Sequence, residues 1–138
     1  MEERVEHIVS AGRLLASVVR AAMSPDATTF VTDPSLSLQV GFIVYPAGAG
    51  VAAHAHSPIQ RAIVGMSEVL IVKRGRCIVD VYTDDRVLVA SPELGPGDVI
   101  LLVGGGHGCR MLEDTVLLEV KQGPYAGPDE KSPFPSGP

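Results

Sequence analysis

The chain has 138 residues, 46% of them hydrophobic and 20% charged, which is the size and composition of one folded domain and not of a disordered protein. With 11 Lys and Arg against 16 Asp and Glu the net charge is −5, and there is no Trp, with only three Tyr and three Phe. Such a chain lacks both the basic surface that displaces counterions from phosphates and the rings that stack on bases, so no nucleic-acid partner is expected. No run approaches the roughly 18 unbroken apolar residues of a membrane span, so no membrane partner is expected either. The opening Met1-Glu2-Glu3-Arg4 lacks the charged-then-apolar plan of a signal peptide, and Cys77 and Cys109 make no disulfide framework. The cytoplasm is the expected location, with both thiols reduced.

The 15 Gly and 11 Pro are many for a helical bundle and natural for short strands joined by tight turns. The first 23 residues read two ways. Val5, Ile8, Val9, Leu15, Val19 and Ala22 fit a helical stripe, but Gly12 interrupts it, and Leu14 to Val19 suits a strand equally. Thr28 to Thr32 is a β-branched run stopped at Asp33-Pro34, and Leu38 to Tyr45 is a second, closed by Pro46 and Gly48. Glu68 to Lys73 passes through Arg74-Gly75-Arg76 into Cys77 to Tyr82, the pattern of a hairpin. Val87 to Val89 follows Asp84-Asp85, and Val99 to Val103 follows Pro96-Gly97-Asp98. Cys109 to Leu112 and Val116 to Lys121 complete the set. Turn signals recurring every roughly 8–12 residues predict an all-β sandwich or barrel.

In the last strand Val116, Leu118 and Val120 share one face and Leu117, Glu119 and Lys121 the other; the apolar set is expected to face the core. Glu68 to Lys73 is apolar on both faces between its ends, which predicts cover on both sides, by a second sheet and by a partner subunit, hence a homodimer. Gly123 to Pro138 holds five Pro and three Gly; it is expected to form no regular element and to be a frayed tail or an arm on a partner.

The chain has four histidines, His7, His54, His56 and His107. If His54-Ala55-His56 lies on a strand, both rings share a face with Cα atoms about 6.5–7 Å apart, close enough to converge on one ion. The plain alternative is a pair of surface histidines. The surroundings favour the ion. Five residues separate Gly48 from His54, six separate Glu68 from Gly75, and Gly97-Asp98, an apolar strand and Gly104-Gly105-Gly106-His107 follow. This arrangement resembles the cupin superfamily, with its motifs Gly-x5-His-x-His-x3–4-Glu-x6-Gly and Gly-x5-Pro-x-Gly-x2-His-x3-Asn, over residues 38 to 122. The sequence departs from the pattern in three places. Eleven residues separate His56 from Glu68, Val103 stands where Pro is usual, and His107 comes one residue early with Met111 in the place of Asn. The ending Glu119-Val120-Lys121-Gln122-Gly123-Pro124-Tyr125 is similar to that of small single-domain bacterial cupins whose N-terminal segment forms strands.

The resemblance implies a double-stranded β-helix, a jelly-roll barrel over residues 1–122 with additional strands at the N-terminus in residues 5–20, followed by the irregular tail, 123–138. It implies a divalent transition metal (Fe, Mn, Ni, Co, Cu or Zn) held by His54, His56, Glu68 and His107, with two coordination positions left for water or a small-molecule ligand. Metal-dependent isomerases and oxygenases of small polar, sugar-like substrates both occur in the superfamily. The alternatives are a non-catalytic binding or sensing module and a structural barrel with a vacant site.

Arg61 is a candidate clamp for a carboxylate or phosphate, set against a solvated loop charge. Gln60, Gln39 and Tyr45 are candidates for lining the barrel mouth. Glu119 qualifies as a general base only if its face points inward, and the alternation predicts outward. Cys109 and Met111 share the face of His107, with apolar packing their commoner fate. Gly104-Gly105-Gly106 is followed by neither a helix nor a Lys, so it is no phosphate cradle but a tight turn. No Gly-x-Ser-x-Gly elbow is present. His7 receives no role.

Overall fold

The computed structural model describes residues 5–135; Met1–Arg4, the acidic opening noted above, and the last three residues of the tail lie outside them. The described chain is all-β apart from one turn of 3-10 helix. It divides into two compact units: residues 24–65 form one, and the residues before and after them the other.

The larger unit begins with β1 (Val5–Ser10) and β2 (Arg13–Val19), joined by a tight turn in which Ala11 and Gly12 both have positive φ. The N-terminal segment is therefore strand. Its helical stripe loses to β-branched Val5, Val9, Val18 and Val19 and to the turn at Gly12. After the smaller unit come β5 (Glu68–Arg74), β6 (Cys77–Tyr82), β7 (Leu88–Ala90), β8 (Glu93–Leu94), β9 (Val99–Leu102), β10 (Gly106–Met111) and β11 (Val116–Lys121). They form two antiparallel sheets. One has the order β1-β2-β9-β5-β11; the other has the order β10-β6-β7, with β8 also on β6. The inner faces share one core: Ala16 and Val18 from β2, Leu70 and Val72 from β5, Val79 and Val81 from β6, Leu94 from β8, and Ile100 and Leu102 from β9. Burying these β-branched and leucyl side chains, at about 1.5–3 kcal/mol each, is the main force holding the sheets together.

Two expectations change here. Glu68–Arg74 and Cys77–Tyr82 do not form a hairpin. β5 pairs with β9 and β11, while β6 pairs with β10, β7 and β8. The intervening turn carries the chain from one sheet to the other. Gly75 makes that corner with φ +90°, and a Cβ there would overlap the carbonyl of Asp114. The hairpin pattern and the sheet-switching corner both place Gly between two apolar runs, so the pattern does not separate them.

The second change concerns β11. Val116, Leu118 and Val120 are 41–48% exposed. Register explains why: Leu117 stands opposite Val72, Glu119 opposite Leu70 and Lys121 opposite Glu68. Cross-strand partners share a face, and Leu70 and Val72 are core residues. Leu117, Glu119 and Lys121 therefore face inward, and Leu117 packs on the core. β11 is an edge strand, and the inner face near its end lines a cavity, so polar residues are tolerated there.

The smaller unit, 24–65, has a single two-stranded sheet, β3 (Thr29–Phe30) with β4 (Gly41–Phe42). Thr32 anchors it, accepting the Val40 N–H and donating to Gln39 Oε1 at 2.6 Å. The longer strands expected over 28–32 and 38–45 shrink to these two pairs. Residues 43–67 carry no strand, and every residue from 45 to 65 is exposed.

The C-terminal segment adds the 3-10 turn, Pro128–Glu130. It is an arm lying on its own chain, because Phe134 packs against Tyr82.

Candidate functional site

A cavity of about 780 Å³ opens between the inner faces of the two large sheets. Glu68 enters from β5 and His107 from β10. Their inward aim follows from register. Glu68 begins the alternation that makes Leu70 and Val72 core residues, and His107 stands opposite Val81, another core residue. Across the gap His107 Nε2 lies 3.6 Å from Glu68 Oε2, with the side chains 32% and 15% exposed. Interaction with the His107 ring holds the Glu68 carboxyl below its ordinary range, against the opposing effect of burial; Glu119 and Lys121 act in the same direction as His107. Lys121 Nζ lies 3.5 Å from Glu119 Oε1. The cavity thus has a polar end of two carboxylates, an imidazole and an ammonium over a floor that includes Leu70, Leu102 and Leu117.

The glycines ahead of His107 serve its placement. Gly105 has φ +65°, and a Cβ there would overlap the Tyr82 carbonyl, so only glycine lets the strand start flush against β6. Cys109, two residues beyond His107 on the same face, lines the cavity and packs on the core. Burial, first of all, pushes its thiol up to about 11. While covered, the thiol is therefore a weak nucleophile at neutral pH, and Cys109 sits near His107 as a packing residue. Met111 is 52% exposed, and Cys77 is fully buried in the core.

The other candidates lie in the smaller unit. His54 and His56 do not sit on a strand; their rings are 5.1 Å apart, edge to face, on the exposed segment. His54 Nδ1 lies 2.8 Å from the Ala52 carbonyl. Tyr45 is 54% exposed, and Gln60 and Arg61 are exposed on the same irregular stretch. Gln39 is used internally, donating to the carbonyls of Asp33 and Leu36 and accepting from Thr32. His7 pairs with Ser17 at 2.7 Å.

The structure thus brings Glu68 and His107 together and sets His54 beside His56. Among the described residues no group of three or more His, Cys, Asp or Glu side chains is arranged to hold a metal ion. The donor chemistry of the Glu68–His107 pair, one carboxylate and one imidazole turned toward each other in a cavity, fits two ligands of a divalent transition metal. Glu119 and Lys121 line the cavity from the face that the alternation assigns outward. The signal that finds them is the pairing of Lys121 with Glu68, which needs the register and not the alternation alone.

Asp80 was not singled out by the sequence. It is 3% exposed, accepts two hydrogen bonds from Arg110 at 2.8 and 2.9 Å and one from Ser91 at 2.6 Å, and these hold its carboxyl below the ordinary range. Its partners satisfy it fully, which marks a structural role.

Among the described residues no helix is long and apolar enough to cross a membrane. Comparison with known proteins finds no matching family model, no matching curated protein and no matching solved structure.

Proposed function

We propose that the protein is a metal-binding cupin, a double-stranded β-helix that acts on a small polar substrate as a metal-dependent enzyme. The observation that carries this reading is the approach of His107 Nε2 to Glu68 Oε2 at 3.6 Å, from opposite sheets, inside a cavity large enough for a small molecule. Glu68 and His107 would hold a divalent Fe, Mn, Ni, Co, Cu or Zn ion, and the cupin resemblance adds His54 and His56 as the remaining ligands. Once bound, such an ion supplies a Lewis acid for a carbonyl or hydroxyl oxygen, or a centre for dioxygen chemistry.

The chain's own residues define what reaches that point. Glu119 and Lys121 offer an acceptor and a donor at the polar end of the cavity, suited to a substrate carrying hydroxyl or carboxylate groups. Leu70, Leu102 and Leu117 form a floor that receives only its apolar carbons. The Glu68 carboxyl, held below its ordinary range chiefly by the His107 ring, is an acceptor and a ligand at neutral pH.

The test is elemental analysis of untagged protein purified without added metal. About one transition-metal ion per chain is expected. Glu68→Ala and His107→Ala should each lower the content sharply while the barrel stays folded by circular dichroism. His54→Ala and His56→Ala should do the same if all four ligands serve one ion, and His7→Ala should change nothing. A protein that carries no metal and takes up none on addition overturns the metal-dependent reading and leaves a small-molecule binding or sensing barrel.

A further inference from the structure

The C-terminal segment contributes a wall to the cavity that the polar cluster does not need. Residues 130–134 line the same space as Glu68 and His107. Phe134 is seated there by three independent features. Its ring meets Tyr82 edge to face, with centroids 5.0 Å apart and planes at 88°, and Tyr82 is itself only 1% exposed. Gly106 leaves the room for it: a Cβ at that position would stand 2.9 Å from the ring. The Arg86 guanidinium lies 5.1 Å from the ring centroid, and the same side chain donates to Ser132 Oγ at 3.3 Å. Just upstream, the Ala126 N–H donates to Glu130 Oε1 at 2.7 Å, and the Glu130 N–H donates to the Gly127 carbonyl at 3.2 Å to close the 3-10 turn.

These anchors differ in kind from the rest of the unit. The strands are held by ladders of backbone hydrogen bonds, so removing one contact leaves the others in place. Among the described residues, 123–135 pair with no strand. Their hold on the cavity centres on the Phe134 ring and the arginine beside it, with Tyr125 adding a ring contact to Lys121 Nζ at 5.9 Å, and a segment fixed this way opens locally without unfolding the sheets.

From this seating we infer that residues 128–134 form a strap whose latch is Phe134: seated, it covers the cavity containing Glu68 and His107, and unseated, it opens that cavity to molecules from solution. The consequence for ligand exchange rests on the proposed use of this cavity, but the strap itself is testable without any ligand.

Cys109 reports the opening, because it lines the cavity and is half-buried, while Cys77, 0% exposed in the core, reports unfolding. The probe is methyl methanethiosulfonate, small and uncharged, applied at one fixed pH, with the modification of each cysteine followed by peptide mass spectrometry. Phe134→Ala removes the latch. Gly106→Ala pushes the ring off its seat at a position whose backbone any residue adopts. Each variant should accelerate labelling of Cys109 about tenfold, the order of effect of one aromatic contact, while Cys77 stays protected. An unchanged Cys109 rate in Phe134→Ala overturns the strap. So does equal acceleration at both cysteines, which would make Phe134 a support of the core and not a cover. If Cys109 alone accelerates but the protein binds no metal, the strap stands and the metal reading falls.

Discussion

The two units of this chain are written in much the same apolar vocabulary and reach opposite outcomes. In residues 24–65, Ile59, Ile63 and Val64 are 64%, 47% and 101% exposed; in the strand-built unit, Ile100, Val72 and Val79 are at most 1% exposed. The difference lies in punctuation and partners. Pro46, Gly48, Gly50, Pro58 and Gly65 break the smaller unit at short intervals, and it achieves only two paired residues per strand. Val72, Val79 and Ile100 each sit in strands of four to seven residues paired along their length. Apolar character makes burial favourable, but a registered partner strand decides which side chain obtains it. The same holds for the chemistry: register fixes Glu68 and His107 against each other, while the contacts of His54, with the Ala52 carbonyl and the His56 ring, are local.

The largest expected effect tests this contrast directly. Ile100→Ala should cost about 2–5 kcal/mol, as a buried methyl-rich side chain leaves a cavity behind. Ile59→Ala, with its side chain in solvent, should stay within about 0.5 kcal/mol. Urea denaturation of both variants measures the two numbers. A comparable loss at Ile59 would mean that the smaller unit buries its apolar residues in solution, and the contrast would fail.

Glycines sharpen the same comparison. Gly75 and Gly48 have similar positive φ, +90° and +85°. Around Gly75 a Cβ would overlap the Asp114 carbonyl and meet Thr115, whereas around Gly48 nothing lies within 4 Å. Gly48→Ala should therefore show only the backbone penalty, about 1 kcal/mol, and Gly75→Ala at least about 2 kcal/mol, because the corner between sheets must also move. Equal losses in thermal denaturation would show that the Gly75 corner has room to adjust.

Acid sensitivity separates the units as well. Asp80 is buried under Arg110 and Ser91, chiefly the former, and its carboxyl is held below the ordinary range. A carboxyl depressed in the folded state stabilises it at any pH above the unfolded value of about 3.9, and that stability is lost as the pH falls from there through the folded value. Asp80→Asn should lose about 1–3 kcal/mol at neutral pH and should weaken the further loss of stability below about pH 4. Asp33 in the smaller unit is also depressed, by the hydroxyl and backbone N–H of Ser35, but it is fully exposed. Asp33→Asn should leave the acid midpoint where it was, as read by circular dichroism against pH.

The fold was legible wherever residue type and turn chemistry acted locally. Val116–Lys121 and Cys77–Tyr82 are strands with the expected bounds, because alternation and flanking turns are properties of the segment itself. What depends on pairing was not. Glu68–Arg74 and Cys77–Tyr82 look like a hairpin until their partners are known, and the two-residue β8 lacks the length to show a period. His54-Ala55-His56 carries no strand signal of its own between Pro46 and Pro58, so its placement off any strand follows from composition that the motif spacing outweighed. The spacing of their glycines, Gly75 and Gly104 to Gly106, is what points to Glu68 and His107 in the sequence. Glu119 and Lys121 were hidden because their face was assigned by hydrophobicity, and a strand that edges a polar cavity reverses that rule.

The smallest expected effect concerns this reversed strand. Leu118 is 48% exposed and stands opposite Ile71, while its neighbour Leu117 packs on the core opposite Val72. Threonine is β-branched and favours strand at either position, so the two substitutions differ mainly in burial. Leu117→Thr should destabilise by about 1–2 kcal/mol, and Leu118→Thr by no more than about 0.5 kcal/mol. If Leu118→Thr loses as much as Leu117→Thr, its face is covered in solution. Sedimentation then identifies the cover. A homodimer that dissociates in Leu118→Thr places a second copy against the Val116, Leu118 and Val120 face, whereas a monomer in both proteins shows that the cover comes from the chain itself.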